Sequence, residues 1–370
     1  MAITKNRFTP IEAIHPSELI KDELKARGMQ KKELAERLGM KAPNLSRLLN
    51  AKENITSAMA LKLEDAFGIP ADYWMGLQLE YDRDIEAIRL RDEEEIHTSQ
   101  VEKALSAMLN LPVLFKKLGL DGFSFFRDRL DALYGLFHVS DMESLLSLST
   151  AQGCFKKSDR LETEQKNLAT WILIARQSCE SETEELGCYE KGNENKAAEE
   201  IAALANKQEI SEKDIKSILS RHGIGYCVVE KFEKTPVDAY SVMIGNNPFI
   251  VVSHRRNNMD MLVFDVLHEC GHINLHLKEN LSFVSYNQDM DGGQSIEQEA
   301  NRYAMDMLIP PSVWASIKRG KSQSLNPFSL IKAITEEASR RCISPTIAAW
   351  RFKHETGNYK IPGYKSKPIK

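Results

Sequence analysis

The first 80 residues contain three groups of apolar positions at intervals of three and four residues, which predict three short helices. We expect these helices at residues 17–27, from residue 30 to about residue 38, and from about residue 42 onward. Gly39 lies between the second and the third, where glycine can adopt the left-handed conformation that ends a helix. Two short helices joined by such a turn predict a helix-turn-helix unit. The predicted inward positions are Leu19, Ile20, Leu24, Leu34, Ala35, Leu38, Leu45, Leu48 and Leu49.

The outward positions of this unit carry small, hydrogen-bonding and basic side chains. Those at the start of the third helix can enter a major groove, and those that flank it suit phosphates. Acidic residues offset most of the charge, so the basic face must be one-sided. The alternative is a helical pair that serves protein contacts alone. The candidate DNA-binding residues are Gln30, Lys31, Lys32, Lys41, Asn44, Ser46, Arg47 and Lys52.

Residues 83–200 are polar and rich in helix-forming residues, and they predict a helical connector. Aromatic residues recur between Phe123 and Phe137 at a spacing that favours core positions over a ligand site. Residues 168–176 are apolar enough for a further buried helix. Residues 178–196 contain many Glu, Gly and Asn residues, and we expect a mobile linker there.

From about residue 201 onward, short β-rich runs alternate with helical patterns. Residues 226–229, 240–244 and 249–252 predict strands, and Gly245-Asn246-Asn247 between the last two predicts a hairpin. We expect residues 249–253 to be an edge strand, where a peptide substrate can add to the sheet. The last eleven residues are basic and have little to pack, so we expect disorder there.

Candidate chemistry lies in the apolar stretch at residues 265–277, which contains His268-Glu269-Cys270-Gly271-His272. In a helix, residues four apart are separated by about 400°, so both histidines share one face. Two imidazoles so placed can bind one Zn²⁺, and Glu269 can polarise a water molecule. Cys270 lies about 200° from His268 and is expected to point away.

A second segment can complete this metal site. A catalytic zinc takes three protein ligands, and Glu297 lies on a predicted helix one loop further on. Asn301 follows one turn later, where it can hydrogen-bond a ligand histidine. Glu299 is a second candidate for the third ligand. His276, about 80° off the face of His268, is not an ideal one.

The sequence H-E-C-G-H-I-N-L-H, followed by E-Q-E-A-N-R-Y-A and by L-I-P, resembles the ImmA/IrrE metallopeptidase family. The family pattern is H-E-x-G-H-x-x-L-H, E-x-x-A-N-x-F-A and L-x-P, so Tyr303 stands where Phe is usual. The E-x-x-A-N spacing favours Glu297 over Glu299. The resemblance implies a gluzincin-like zinc site with the ligands His268, His272 and Glu297, and with Glu269 as general base.

Such a site implies metal-assisted peptide hydrolysis, in which Glu269 takes the proton of the attacking water and passes it to the leaving amine. Sites of this kind usually add a donor for the oxyanion. The sequence does not choose among five candidates, which are Tyr226, Tyr240, Tyr303, His254 and His276.

The runs H-P-S-E-L-I-K-D-E-L, L-A-E-R-L-G, L-S-R-L-L-N-A-K-E-N-I-T and L-E-D-A-F-G-I-P-A-D-Y-W-M-G-L-Q resemble HigA-type antitoxins of the Xre helix-turn-helix class. The resemblance covers residues 14–82. It implies a homodimer that binds double-stranded operator DNA, with a toxin or repressor protein as a further partner. Met40-Lys41 stands where relatives usually carry small or hydroxyl residues, so the base preference stays open.

Composition limits the class of protein. The chain has 370 residues, a net charge of −4 and 42% hydrophobic residues, as expected of a soluble protein with two or three domains. Its apolar runs are shorter than the roughly 20 residues that span a bilayer, and its N-terminus lacks the apolar segment of a signal peptide. The six cysteines form no C-x-x-C pair. We therefore expect reduced thiols and a cytoplasmic location. We expect no membrane partner.

These features predict a multidomain α+β protein with four parts. An all-α helix-turn-helix head at residues 1–82 precedes a helical connector at 83–200. A gluzincin-like α+β metallopeptidase module at 201–312 precedes C-terminal helices and a basic tail at 313–370. The predicted function is a DNA-binding, antitoxin-like regulator whose zinc peptidase cuts a partner or the chain itself. The rival is a non-catalytic antitoxin or transcription factor with a structural or sensory zinc site, and the presence of Glu269 favours chemistry.

Overall fold

The computed structural model describes residues 9–150, 165–182, 186–235, 237–255, 257–277, 282–285, 295–319, 326–358 and 367–369. The chain divides into two compact units, Met1–Val101 and Glu102–Lys370. A search of the described residues for a helix long and apolar enough to cross a membrane finds none.

The first unit is all-helical, as the apolar pattern predicts. Gly39 has a φ of +58°, the left-handed conformation that ends the second helix. Lys62 Nζ donates to the carbonyl of Leu38 at 2.8 Å, and this hydrogen bond also holds the turn in place. Thr56 caps the fourth helix by accepting from the backbone N–H of Met59. The helices are α1 Ser17–Ala26, α2 Lys31–Arg37, α3 Ala42–Leu49, α4 Ser57–Phe67 and the long α5 Ala71–Met108.

The core of this unit confirms the predicted inward positions. All of them are buried except Leu19, which is half-buried. Trp74, near the start of α5, is fully buried and lies 6.1 Å from the ring of Phe67 at the end of α4. The burial of these apolar faces against one another is the main force that holds such short helices in place.

The second unit begins with helices and continues as an α+β structure. The predicted linker at residues 178–196 is helical at both ends, because α9 continues to Glu180 and α10 begins at Asn193. Glu194 is fully buried and accepts from Tyr189 Oη and from the backbone of Gly192, both at 2.8 Å. These contacts anchor the described part of the segment. The helices are α6 Leu111–Lys117, α7 Phe126–Leu136, α8 Met142–Leu148, α9 Gln165–Glu180, α10 Asn193–Asn206 and α11 Glu212–Arg221.

A four-stranded sheet follows, with strands β1 Gly225–Val228, β2 Ala239–Ile244, β3 Asn247–Val252 and β4 Ser282–Ser285. The strand order is β1-β3-β2-β4, with β1 parallel to β3 and the other pairs antiparallel. The predicted β2–β3 hairpin is confirmed, with Ile244 opposite Asn247. The prediction that residues 249–253 form an edge is wrong, because β1 and β2 flank β3 on both sides. In the described part of the sheet, the edges are β1 and β4.

Two further helices, α12 Met259–Leu275 and α13 Ser295–Leu308, pack against each other. Helix α12 also packs against β2, β3 and β4, so it lies on one face of the sheet. Its first turn is capped by Asn258, whose side chain accepts from the backbone N–H of Met261 at 3.0 Å. Gly271 permits the close approach of α13, since an added Cβ would lie 3.1 Å from Ala300 Cα.

Three C-terminal helices, α14 Pro311–Lys318, α15 Pro327–Arg340 and α16 Pro345–Thr356, support the end of α13. Arg351 on α16 is buried and donates to the carbonyls of Met305 and Ile309 and to Asp306. A cation at this end of α13 also complements the helix dipole. The predicted disorder of the last eleven residues does not hold for 367–369, where Lys367 O accepts from the backbone of Met259 at 2.9 Å. Residues 360–366 and 370 lie outside the described residues.

Candidate functional site

Helices α12 and α13 bring three of the predicted site residues together. The Nε2 atoms of His268 and His272 are 3.0 Å apart. The carboxylate of Glu297 lies between them, with Oε2 3.2 Å from His268 Nε2 and Oε1 3.3 Å from His272 Nε2. Three potential metal-binding atoms therefore converge on one point, as the four-residue spacing of the histidines requires.

The other ring nitrogens of both histidines have partners of their own. His268 Nδ1 lies 3.1 Å from Asn301 Oδ1, and His272 Nδ1 lies 3.1 Å from His276 Nδ1. An amide oxygen only accepts, so the single N–H of a neutral His268 is on Nδ1. Its Nε2 then carries a lone pair that points at the convergence point.

This donor set fits a zinc ion. In a tetrahedral site with bonds of about 2.0–2.1 Å, neighbouring ligand atoms are about 3.3 Å apart, close to the separations of these three atoms. Two lone pairs and a carboxylate that face one another at such distances repel unless a cation lies between them. The residues present therefore fit a metal with nitrogen and oxygen ligands and space for a further ligand.

The charges around the cluster also favour a cation. Burial opposes a charged His268, but Glu297, Glu269 and Asp265 outweigh burial and raise its pKa. Burial likewise opposes a charged Glu297, but its contacts with His268 and His272 hold the pKa of this carboxyl far below its usual range. The site thus keeps an ionised carboxylate in a partly buried position beside two buried histidines.

The remaining residues of the motif occupy different positions. Glu269 is fully buried beside the ligand histidine that precedes it. Cys270 is also buried but does not belong to the cluster of ligand atoms, in keeping with its place on the other side of the helix. Burial also raises the pKa of the Cys270 thiol.

Glu299 and His276 contact each other rather than the convergence point. His276 Nε2 lies 3.0 Å from Glu299 Oε2, while Glu297 contacts both ligand histidines. The structure thus separates the two glutamates that the sequence left as alternatives. The contact between His276 and His272 was missed by the sequence reasoning, although the four-residue spacing of these histidines was a signal for it.

The five candidate oxyanion donors all contact other groups. Tyr226 Oη donates to Glu212 Oε1 at 2.7 Å, and His254 Nε2 lies 2.8 Å from the same oxygen. Tyr303 Oη donates to Asn195 Oδ1 at 2.7 Å. Tyr240 is fully buried, with its ring edge-on to Trp171. His276 is engaged by His272 and Glu299.

A second candidate site lies on the first unit. All eight predicted DNA-binding residues are exposed. Lys41 directly precedes α3, whereas Asn44, Ser46 and Arg47 lie on it. The apolar side of α3 is buried through Leu45, Leu48 and Leu49, so its polar side is left to solvent. The exposed residues are Gln30, Lys31, Lys32, Lys41, Asn44, Ser46, Arg47 and Lys52.

Comparison with known proteins supports this interpretation of the first unit. Residues 20–74 match the sequence model of the helix-turn-helix family HTH_3. This segment is a helix-turn-helix domain. The matched residues include all of α2 and α3, the two helices that the motif joins.

The helix-turn-helix domain also accounts for the similarity to individual proteins. The chain is 38% identical over 69 residues to virulence-associated protein A' of Dichelobacter nodosus, and 34% identical over 71 residues to virulence-associated protein I of that organism. These matches cover 18% and 19% of this chain, and 60% and 66% of the relatives. The chain thus spans less than two thirds of the length of either relative.

A solved structure described as the Pseudomonas aeruginosa antitoxin HigA with the higBA promoter is 29% identical to this segment. The match covers 23% of this chain and 91% of that chain, with a TM-score of 0.21.

Within the helix-turn-helix domain, one ion pair lies at the candidate DNA surface. Arg47 Nε is 3.9 Å from Glu53 Oε2, and both side chains are about half exposed, at 62% and 46%. A pair this long and this exposed contributes little to stability. Arg47 can therefore leave Glu53 for a base or a phosphate at small cost.

Proposed function

We propose that the protein is a DNA-binding, antitoxin-like transcriptional regulator with a zinc-dependent peptidase module. The zinc-dependent peptidase module is supported by the convergence of two imidazole nitrogens and a carboxylate at 3.0–3.3 Å, with Glu269 next to His268 on the same helix. The role as a DNA-binding regulator rests on the helix-turn-helix domain and its exposed recognition helix, α3.

In this proposal His268, His272 and Glu297 hold one zinc ion. A zinc ion bound there would act as a Lewis acid and would lower the pKa of a water molecule. The amide oxygen of Asn301 accepts from Nδ1 of His268, so it fixes the tautomer that has a lone pair on Nε2, the atom that faces the cluster. The burial of both histidines strengthens each charge interaction inside the site.

Glu269 acts as general base and then as general acid. Its carboxylate accepts the proton of the attacking water and delivers it to the leaving amine of the peptide. A purely structural metal site needs no such group.

We propose that the peptide substrate lies along β4. Of the two edges of the described sheet, β4 makes the more extensive contact with α12, which carries the histidines. An extended peptide can add to such an edge through backbone hydrogen bonds, and this requires no particular side chains of β4.

For the first unit, we propose binding to double-stranded operator DNA as a homodimer, with α3 in the major groove. A dimer presents two recognition helices to two half-sites and so gains affinity from both. A toxin or a second repressor is the protein partner that we propose for the regulator.

The test of the metal site is zinc analysis and peptide cleavage on three proteins. Wild type should hold about one zinc per chain, and the His268→Ala/His272→Ala variant should hold none. Glu269→Gln should keep zinc but lose cleavage, because it removes the base and leaves the ligands. A wild-type protein without zinc, or zinc content unchanged in the double variant, would refute the metal site. Full cleavage by Glu269→Gln would refute the role of Glu269 as general base, whereas a wild-type protein that holds zinc and cleaves no peptide would favour a non-catalytic site.

A further inference from the structure

His276 lies one turn after His272, at the residue that ends α12, and the two rings contact each other. Their Nδ1 atoms are 3.1 Å apart, and His276 Nε2 is 3.0 Å from Glu299 Oε2. The side chain of His276 is 9% exposed and that of Glu299 is 53% exposed. The three side chains form a hydrogen-bonded series that leads from the ligand cluster to the surface.

The chemistry of its two ends fixes the direction of these hydrogen bonds. An ionised carboxylate only accepts, so the hydrogen between His276 and Glu299 is on Nε2 of His276. The Nδ1 of a neutral His276 then accepts, and the hydrogen between the two rings belongs to His272 Nδ1. The Nε2 of His272 is left with a lone pair, and this is the atom that faces His268 and Glu297.

We propose that His276 is a positioning residue of the metal centre and that Glu299 is its terminal acceptor. This role rests on the proposed metal site. His276 holds His272 in the tautomer that binds metal through Nε2. Through its hydrogen bond with His276, the carboxylate of Glu299 makes the imidazole of His272 a stronger electron donor. The two ligand histidines thus have different outer partners, an amide for His268 and a histidine–glutamate pair for His272.

The imidazole of His276 is not needed to end the helix. The backbone N–H groups of His276 and Leu277 both donate to the carbonyl of His272, at 2.9 and 2.7 Å, and they complete the last turn. Removal of the ring therefore leaves the end of α12 in place. The effect of such a removal should appear in metal binding.

The experiment measures zinc affinity of the full chain by competition with a coloured chelator. His276→Ala and Glu299→Gln should each bind zinc about 10- to 100-fold more weakly than wild type. Gln298→Ala, an exposed change on the same helix, is the matched control and should bind like wild type. His276→Gln should recover part of the loss, because an amide can accept from His272 and donate to Glu299.

A second readout is the visible absorption spectrum after Co²⁺ replaces zinc. The bands should shift in His276→Ala, where the orientation of His272 changes, and stay unchanged in Gln298→Ala. Glu299→Gln changes an exposed residue, so it tests the proposal even where His276→Ala does not fold.

Equal zinc affinity of wild type, His276→Ala and Glu299→Gln would overturn the proposal while leaving the metal site intact. Weaker binding by His276→Ala with unchanged binding by Glu299→Gln would overturn the part given to Glu299. A wild-type protein that binds no zinc would refute the metal site and this positioning role with it.

Discussion

At the scale of single residues, the two glutamates of α13 show that nearby positions on one helix can make different contacts. Glu297 and Glu299 are two residues apart, which places them about 200° apart around the helix axis. Glu297 therefore contacts the histidines of the cluster, and Glu299 contacts His276.

The exposed residues of the helix-turn-helix domain divide into two groups that predict different defects. Asn44→Ala and Arg47→Ala should each lower specific binding to the operator by about 1–3 kcal/mol, because each removes a base contact. Lys31→Ala and Lys32→Ala should weaken binding to all sequences alike and flatten the salt dependence, because they remove phosphate contacts. Gel shifts with the DNA upstream of the gene, at several salt concentrations, measure both effects.

The control for these variants is a scrambled DNA of equal length. The Asn44 and Arg47 variants should lose their preference for the operator over this DNA, whereas the lysine variants should keep it. Unchanged binding in all four variants would argue against the proposed orientation of α3.

The sequence predicts a side-chain contact only where that contact depends on positions close together along the chain. The spacing of His268 and His272 places both on one face, because it depends only on the helix repeat. The choice between Glu297 and Glu299 needed the packing of a second helix. The partner of Tyr303, Asn195, is 108 residues away in sequence, and no local pattern indicates such a contact.

At the scale of elements, the approach of α12 and α13 depends on Gly271. An added Cβ there would lie 3.1 Å from Ala300 Cα and 3.2 Å from Tyr303 Cβ, closer than ordinary packing distances. Gly271→Val should therefore destabilise the protein by about 1–3 kcal/mol through overpacking and weaken zinc binding, since Glu297 lies on α13. Urea unfolding and zinc competition measure the two effects.

Gly76 provides a matched comparison for this change. It lies within α5, and an added Cβ there has no neighbour within 4 Å. Gly76→Ala should stabilise α5 by about 1 kcal/mol through helix propensity, whereas Gly271→Ala should gain less because crowding offsets the same propensity. An equal gain at both positions would show that the two helices can separate freely.

Glu355 links α14 to α16, and this contact predicts a dependence on pH. Burial opposes its charge, but hydrogen bonds from Lys318, Arg351 and Trp314 outweigh burial and lower the pKa of Glu355. Its stabilising contribution is fully present above the pKa of the unfolded chain, about 4.3, and is lost as pH falls through the lower folded pKa.

Glu355→Gln should therefore lower the free energy of unfolding by about 1 kcal/mol at pH 7, and the difference from wild type should shrink below about pH 4. Urea unfolding at the two pH values measures it. Glu336→Gln, an exposed change on α15, is the control and should have little effect at either pH. A difference that grows on acidification would contradict the proposed role of the carboxylate.

The elements of the sheet show what the sequence could not provide. The runs at β2 and β3 and the turn between them were predictable, because they depend on strand propensity and a local turn. The strand order was not, since β1 pairs in parallel with β3 rather than with β2, the next strand along the chain. The exposure of Phe123 and Phe125, at 42% and 72%, likewise departs from the predicted aromatic core, because a periodic pattern does not specify which neighbours cover it.

At the scale of the whole molecule, one chain combines a helix-turn-helix domain and a candidate metal centre in separate compact units. The segment between α9 and α10 is the proposed place for a cut within the chain itself. The described non-helical residues of this segment are 181, 182 and 186–192. A protease needs an extended segment, so a cut here requires that the contacts of Tyr189 and Gly192 with Glu194 open first.

The coupling of the two units can be tested in cells with Glu269→Gln, which keeps the ligands and the DNA-binding surface. If hydrolysis controls repression, wild type should release its operator after induction and yield a fragment of the chain or of a partner, whereas Glu269→Gln should do neither. A reporter gene and immunoblots against both ends of the chain measure these effects. Arg47→Ala is the control for DNA binding, since it should derepress without any fragment. Equal derepression in wild type and Glu269→Gln, with no fragment in either, would mean that metal binding or a partner, rather than cleavage, operates the switch.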